Sequence, residues 1–261
     1  MADKFAIITG ASTGIGFELA TIAAREGYDI LIVADEPLID AAAADFKQFG
    51  TEVRSVEADL STIDGVDRLL DAANGRRVDL LCANAGHGLG RAFLDQDVAK
   101  WRHVVDTNIT GTVYLLQRVL KEMAARNEGK VMVVGSIAGY MPGPFSAVYN
   151  GTKAFIDSFV AAIQNELKDQ DGVTITNLMP GATETEFFAR GDQLDTKVGT
   201  QKKDDAAKVA KDGWDALMAG KASVVSGLSN KLQSAVANVT PNAVLAEQYR
   251  SMAEPGSAKD G

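Results

Sequence analysis

The chain has 261 residues, and its 26 Lys and Arg against 35 Asp and Glu give a formal net charge of −9. This length allows one large α/β domain or two small ones, and it can bury a sizeable core. Hydrophobic residues make up 46% and charged residues 23% of the chain, which argues against disorder. Since a phosphate backbone requires clustered basic residues and no Lys/Arg run exceeds two, we expect no nucleic-acid partner.

Cysteine and histidine are rare in this chain. The single cysteine, Cys82, excludes an internal disulfide and lies in an apolar run, so we expect it in the core. With only His87 and His103, we expect no metal site. The first residues reach Gly10 too early for a signal peptide, and no stretch approaches the roughly 18 apolar residues of a membrane span. We therefore expect a soluble, cytoplasmic protein with no membrane partner.

Short β-branched runs alternate with longer helical patterns along most of the chain. Several runs are almost continuously apolar, which is typical of strands covered on both faces. The predicted strands are 5–9, 29–33, 52–57, 80–83, 130–134, 174–178 and 222–226. The predicted helices are 14–26, 38–49, 62–73, 98–126, 149–168 and 203–219. This alternation predicts an α/β fold with a doubly wound parallel seven-stranded sheet and helices on both faces.

No linker rich in proline, serine or glycine divides the chain, so residues 1–253 are predicted to form a single domain. Two segments break the alternation of strands and helices. Residues 183–203 are polar and contain two glycines, which predicts a flexible flap near the substrate. Residues 254–261 are predicted to be a disordered tail.

A glycine-rich turn follows the first strand and opens the first helix. Glycines permit a tight turn and close approach of a pyrophosphate, and a helix N-terminus offers free N–H donors. The spacing Gly-x3-Gly-x-Gly differs from the Gly-x-Gly-x-x-Gly fingerprint, so a plain strand–helix turn remains an alternative. The candidate dinucleotide-binding residues here are Gly10, Ser12, Thr13, Gly14, Ile15 and Gly16.

Acidic residues end the next two strands. Asp35 and Glu36 follow the second strand, where a carboxylate can accept a hydrogen bond from an adenosine ribose. Asp59 and Leu60 follow the third strand, in a position to meet the adenine. A solvated loop charge is the alternative for each acid alone. Their recurrence at successive strand ends favours a ligand site, because such folds bind ligands there.

Tyr149 and Lys153 lie four residues apart in a predicted helix and therefore share one face. A free phenol has a pKa of about 10, and a neighbouring ammonium group lowers it toward the range of a useful base. Ser136 precedes Tyr149 by thirteen residues, and its hydroxyl could stabilise charge on a substrate oxygen. For the pair alone, an ordinary amphipathic surface is the alternative.

Asn108 lies inside the long helical pattern 98–126. A polar residue there usually faces solvent. A functional asparagine could instead open the helix locally and hold a water that links Lys153 to bulk solvent.

Together these residues resemble the short-chain dehydrogenase/reductase family in its single-domain, Rossmann-like branch, over about residues 5–190. Ala83 departs from the pattern, because the family often has a second asparagine there. The residues that carry the resemblance are Thr9, Gly10, Gly14, Gly16, Asp59, Asn84, Ala85, Gly86, Asn108, Ser136, Tyr149, Lys153, Pro180, Gly181 and Thr185.

The resemblance implies a catalytic set and its roles. Tyr149 would be the general acid/base, Lys153 would tune it and hold the ribose, Ser136 would position the carbonyl, and Asn108 would support the proton relay. It also implies cofactor contacts from Asn84, Ala85, Gly86, Pro180, Gly181, Thr183 and Thr185, the two threonines meeting the nicotinamide carboxamide. The implied reaction is reversible hydride transfer between a nicotinamide and a small-molecule carbonyl or secondary alcohol, by a homo-oligomer, dimeric or tetrameric.

Asp35 predicts NAD as the cofactor. A carboxylate repels the 2′-phosphate of NADP, and neither the strand end nor Thr13 supplies the basic residue that NADP-preferring members often carry. The alternatives are an NADP(H)-preferring reductase of the same family, a non-catalytic dinucleotide sensor or scaffold, and an epimerase or dehydratase. The last class typically needs a larger substrate domain.

The segments beside the catalytic set predict an apolar substrate lining. His87, in a glycine-rich loop, is expected to be a solvated side chain. The predicted lining residues are Ile137, Met141, Pro142, Pro144, Phe145, Phe187 and Phe188.

Overall fold

The computed structural model describes residues 4–258. All seven predicted strands are present, with bounds shifted by one residue at most at either end. The strands are β1 (Phe5–Thr9), β2 (Asp29–Ala34), β3 (Val53–Glu57), β4 (Leu80–Ala83), β5 (Gly129–Val134), β6 (Val173–Met179) and β7 (Ser223–Val225).

The strands form one parallel sheet in the order β3-β2-β1-β4-β5-β6-β7. The chain winds outward from β1 in one direction and then returns to β4 and winds in the other. The prediction of a doubly wound seven-stranded sheet is therefore confirmed. In such a sheet the connections after β1 and β4 lead to helices on opposite faces, and a crevice forms at the carboxyl ends of these strands.

Helices cover both faces of the sheet. The predicted helix 98–126 is two α-helices joined by a π-helical segment, Asp106–Gly111. The last two helices of the chain were not predicted from the sequence. The α-helices are α1 (Gly14–Arg25), α2 (Leu38–Phe46), α3 (Ile63–Ala72), α4 (Val98–Val105), α5 (Thr112–Arg126), α6 (Ala147–Glu166), α7 (Phe187–Arg190), α8 (Lys197–Thr200), α9 (Ala206–Met218), α10 (Leu228–Ala237) and α11 (Asn242–Ala253).

Two apolar cores lie on opposite faces of the sheet. Successive strand residues point to opposite faces, so Ile7 joins one core and Ile8 the other. One core contains side chains from α1, α2 and α9, and the other from α3, α5 and α6. Cys82 is fully buried, as predicted, and burial raises the pKa of its thiol to about 12.

The predicted flap, 183–203, contains the short helices α7 and α8. The Arg91 guanidinium holds it to the body of the protein through Asp192 and Asp195, each at 2.7 Å. The Asp195 carboxylate also accepts a hydrogen bond from the backbone of Gly256, in the predicted tail. Residues 259–261 of that tail lie outside the described residues. Among residues 4–258, no helix combines the length and apolar character needed to cross a membrane.

Candidate active site

A cavity of about 440 Å³ opens at the carboxyl ends of the strands, where the order of the sheet reverses. It brings together most of the residues singled out from the sequence, although they are spread over 175 positions. Gly16 and Asn108 lie outside its lining. The predicted residues that line it are Gly10, Ser12, Thr13, Gly14, Ile15, Asp35, Asp59, Leu60, Asn84, Ala85, Gly86, Ser136, Tyr149, Lys153, Pro180, Gly181, Thr183 and Thr185.

The glycine-rich turn has the shape of an anion cradle. Gly10 and Gly14 have φ of +64° and +60°, which only glycine adopts without strain. A Cβ on Gly16 would lie 2.0 Å from the Gly10 carbonyl oxygen, so this glycine lets α1 start directly on the turn. The Thr13 side chain makes no capping hydrogen bond, which leaves the first N–H groups of α1 to a ligand.

Asn84 joins the loop after β4 to the end of β1. Its side-chain amide donates to the carbonyl oxygens of Thr9 and Gly10 at 3.0 and 3.1 Å. The Thr9 hydroxyl in turn accepts from the backbone N–H groups of Asn84 and Ala85, both at 2.9 Å. These bonds fix the two loops that border the crevice.

Both carboxylates after β2 are already paired with basic groups. The Asp35 carboxylate lies 3.1 Å from Nε2 of His87, and this hydrogen bond lowers its pKa. Glu36 accepts from the Ser12 hydroxyl at 2.5 Å and from the Arg190 guanidinium at 2.9 Å. Arg190 thus lies beside this strand end, although the strand end itself supplies no basic residue. The expectation that His87 is merely solvated is wrong. The local sequence could not reveal these partners, because His87 lies in the loop after β4 and Arg190 lies on α7.

Asn108 lies in the π-helical segment, so the helix is locally widened at this residue. Its side-chain oxygen accepts from the backbone N–H of His87 at 2.8 Å, and its side-chain amide donates to the backbone carbonyl of His87 at 3.0 Å. The amide also donates to the Thr152 hydroxyl at 2.9 Å. The buried Asn108 therefore joins the loop after β4 to α6, next to Lys153.

Ser136, Tyr149 and Lys153 meet on one wall of the cavity. The Tyr149 hydroxyl and the Ser136 side chain form a hydrogen bond. The Lys153 ammonium donates to the Val134 carbonyl at 2.8 Å and lies 5.9 Å from the centre of the Tyr149 ring. Two hydroxyls and an ammonium group thus converge where a substrate oxygen could bind.

The pKa of Tyr149 differs from the sequence-based expectation. Burial raises it well above 10, and the hydrogen bond with Ser136 offsets only part of that effect. The Phe187 ring packs on the Tyr149 ring with the centroids 4.9 Å apart, which contributes to the burial. Burial also lowers the pKa of Lys153 to about 8. In this state of the protein the lysine does not bring the phenol into the range of a base.

The predicted substrate side of the cavity is lined by residues from more segments of the chain than the sequence indicated. Of the predicted apolar lining, Ile137, Met141, Phe187 and Phe188 border the cavity, whereas Pro142, Pro144 and Phe145 do not. Sequence reasoning missed the residues that come from the flap and the last two helices, because no motif marks them. These missed lining residues include Gln193, Asn230, Gln233, Tyr249 and Met252.

Asp157 is a second feature that the sequence did not reveal, although it lies four residues after Lys153 on the same helical face. Its carboxylate accepts from the Asn177 amide at 2.8 Å and from the backbone N–H of Ser136. Its other oxygen, Oδ2, is buried and has no hydrogen-bond partner among the described residues. Burial raises the pKa of this carboxyl from 3.8 to about 6, against the smaller opposing effects of Asn177 and Lys153.

Comparison with known proteins gives a consistent result. A family model described as short chain dehydrogenase matches residues 4–195. The chain belongs to the short-chain dehydrogenase family. An uncharacterized oxidoreductase of Staphylococcus epidermidis is 30% identical over 211 residues, which cover 80% of this chain and 88% of that protein. This short-chain dehydrogenase is accordingly an oxidoreductase, and the resemblance seen in the sequence is confirmed.

Solved structures share the fold. A short-chain dehydrogenase from Sphingobium yanoikuyae in complex with NADPH superposes with a TM-score of 0.80 at 23% identity, covering 94% of this chain and 100% of that one. A short chain dehydrogenase/reductase from Burkholderia phymatum in complex with NAD gives 0.81 at 23% identity, with coverages of 89% and 92%. At this identity the likeness extends to the fold alone.

The raised pKa of Asp157 predicts a pH-dependent stability for this short-chain dehydrogenase. The folded state binds the carboxyl proton more tightly than the unfolded chain, so this group destabilises the fold progressively as the pH rises from about 4 to about 6. Asp157→Asn removes that effect. Its free energy of unfolding should therefore exceed that of the wild type by an amount that grows with pH, up to about 3 kcal/mol at pH 7.

Urea denaturation of both proteins across this pH range measures the difference. Asp45→Asn is the matched control, because Asp45 is exposed on α2. A difference between Asp157→Asn and wild type that did not change with pH would contradict the assignment.

Proposed function

We propose that this short-chain dehydrogenase is an NAD(H)-dependent oxidoreductase that interconverts a carbonyl and a secondary alcohol of a small molecule. The observation that carries the proposal is the convergence of Ser136, Tyr149 and Lys153 on the cavity that also contains the glycine-rich turn. Reacting groups and a dinucleotide cradle in one crevice are what hydride transfer requires.

The residues present fit a nicotinamide dinucleotide. The positive φ of Gly10 and Gly14 and the uncapped start of α1 suit a pyrophosphate, with Asp35 for the adenosine ribose and Asp59 and Leu60 for the adenine. Asn84, Ala85, Gly86, Pro180, Gly181, Thr183 and Thr185 would hold the nicotinamide half. When bound, the nicotinamide supplies the hydride donor or acceptor.

The side chains of the cavity would transfer the proton to and from the substrate oxygen. The raised pKa keeps Tyr149 protonated at neutral pH, so the phenol can donate to the carbonyl oxygen during reduction. Ser136 can donate to the same oxygen and orient it. In the direction of oxidation the phenol must lose its proton, which positive charge nearby favours. The Lys153 ammonium would supply part of that charge, and Asn108 would support the relay of the proton to solvent.

Tyr149→Phe tests the acid/base assignment. The substitution keeps the ring and its packing against Phe187 but removes the proton carrier. Turnover should fall by roughly 10²–10⁴-fold, the usual contribution of general acid–base catalysis, while dinucleotide binding survives. Steady-state kinetics and a binding titration measure the two effects.

Tyr114→Phe is the matched control, since this hydroxyl bonds to Asp67 on the surface, outside the cavity lining. It should leave turnover unchanged. A Tyr149→Phe enzyme that kept more than a tenth of the wild-type turnover would exclude Tyr149 as the proton carrier.

We propose NAD rather than NADP as the preferred cofactor because of the charges after β2. The basic side chains here are already paired with carboxylates, Arg190 with Glu36 and His87 with Asp35, so the site offers a 2′-phosphate no net positive charge. A carboxylate accepts from a 2′-hydroxyl and repels a phosphate, which together should favour NADH by more than about tenfold in kcat/KM.

Measuring kcat/KM with NADH and NADPH on one substrate tests this preference. Asp35→Ala should weaken the use of NADH and reduce the discrimination, and Asp35→Arg should shift it toward NADPH. Equal values for the wild-type enzyme, or a preference for NADPH, would be incompatible with the proposed role of Asp35.

The substrate is proposed to be a small molecule with an apolar body beside its carbonyl. Met141, Phe187, Phe188 and Met252 supply apolar wall, and Tyr249 adds a buried hydroxyl. A screen with NADH across ketones, keto-sugars, steroid-like compounds and quinones would identify the class. Failure of every carbonyl class would contradict the proposed reaction.

A homo-oligomer, dimeric or tetrameric, is proposed as the working form. Phe155 lies on α6 with 43% of its surface exposed and stacks on Phe159, which gives this helix an apolar outer patch suited to a second copy. Light scattering should give a multiple of the chain mass, and Phe155→Glu should lower it. A monomeric wild-type protein would be incompatible with this.

A further inference from the structure

We propose that Asp35, His87 and His103 form a binding site for a divalent transition-metal ion such as Zn²⁺. The site shares Asp35 with the adenosine-ribose position, so metal and dinucleotide exclude one another. The second half of the inference rests on the proposed function, whereas metal binding itself does not.

The geometry of the three side chains carries the proposal. One potential ligand atom from each lies within 4.8 Å of the other two. Nε2 of His87 is 3.1 Å from Oδ2 of Asp35, and the rings of His87 and His103 have their centroids 4.7 Å apart. These are the only two histidines among 261 residues, and they come from the loop after β4 and from α4 to meet at one carboxylate.

Two imidazoles and a carboxylate form a ligand set that zinc commonly uses, with a water in the fourth position. Zinc bonds of about 2.0–2.2 Å place tetrahedral ligand atoms about 3.4 Å apart, so the three atoms must approach one another by no more than about 1.4 Å. Asp35 is exposed and His87 and His103 are partly buried, so small side-chain rotations can supply this movement.

Few other groups in the described part of the chain could compete with this site for such an ion. Its one cysteine is fully buried, and no other group of three potential ligands is found within residues 4–258. The overall charge of −9 also favours a cation. Binding replaces the hydrogen bond between His87 and Asp35 with a metal bond to each. The neutral imidazole then coordinates through Nε2 and carries its proton on Nδ1.

Exclusion follows from the position of the site. Asp35 and His87 line the cavity proposed for the dinucleotide, whereas His103 does not. The Asp35 oxygen that coordinates a metal gives up an acceptor site that a ribose hydroxyl would otherwise use, and the carboxylate is turned toward the ion. A bound ion would also place a water or a second ligand in the ribose space.

Calorimetric titration of ZnCl₂ into the dinucleotide-free protein tests the site. We expect one ion per chain, with affinity reduced at least tenfold in His87→Ala and in His103→Ala. Arg102→Gln is the matched control, because this exposed neighbour of His103 on α4 should leave zinc binding unchanged. A zinc affinity that is unchanged after loss of either histidine would overturn the proposal.

NADH fluorescence titrations with and without ZnCl₂ test the exclusion. At a zinc concentration ten times its dissociation constant, the apparent Kd for NADH should rise about elevenfold in the wild-type protein. In His103→Ala, whose zinc affinity is at least tenfold lower, the same zinc concentration should raise the apparent Kd for NADH by no more than about twofold. An unchanged NADH affinity in the wild-type protein would overturn the exclusion. Failure of NADH to bind the metal-free protein would instead contradict the proposed function, while the dependence of zinc binding on the two histidines still decides the site.

Discussion

The close approach of the glycine-rich turn to the loop after β4 is the contact on which the rest of the site depends. A single side chain, Asn84, bonds to both Thr9 and Gly10, and a Cβ on Gly10 would lie 2.9 Å from its amide nitrogen. These bonds hold the two loops at the point where the sheet reverses direction. The same loop brings His87 to Asp35 and to the Asn108 side chain, which in turn bonds to Thr152 on α6. The glycine-rich turn and the helix that bears Tyr149 and Lys153 are therefore both braced by this loop.

Burial sets the pKa values of Tyr149 and Lys153 on the wall of the cavity. The environment that raises the pKa of Tyr149 also lowers that of Lys153 to about 8, because both charged forms lose hydration. Asp157 lies behind them, and its charge interaction with Lys153 favours the ammonium form. The phenol is therefore held in its protonated form, with the Phe187 ring packed against it.

Local patterns explain why so much of this architecture could be predicted from the sequence. The apolar runs and helix periods are local signals, so the seven strands and most of the helices were evident. The motifs that line the cavity, such as Tyr149 with Lys153, are short and have a fixed order. The break in the helix at Asn108 was foreseen as a possibility because a polar residue inside a helix needs a reason.

The missed features depend on tertiary contact. Arg190 reaches Glu36 across 154 positions, and Tyr249 reaches the cavity from a helix that carries no motif. The two histidines are sixteen residues apart with no metal-binding spacing, so only the fold brings them to Asp35. Likewise, the burial of Tyr149 by a residue of the flap could not be read from the spacing of the catalytic set.

We propose above all that the glycine-rich turn holds the pyrophosphate of a nicotinamide dinucleotide, and an NADH titration of two glycine variants tests this most directly. Gly14 and Gly27 both have a positive φ, so alanine strains the backbone at either position. Only Gly14 lies at the cavity, with a Cβ 2.7 Å from Thr185, whereas a Cβ on Gly27 meets nothing within 4 Å. Wild type and Gly27→Ala should bind one NADH per chain with equal affinity, and Gly14→Ala at least about tenfold more weakly. Equal binding by all three proteins, or no binding by the wild type, would show that the turn does not hold the dinucleotide.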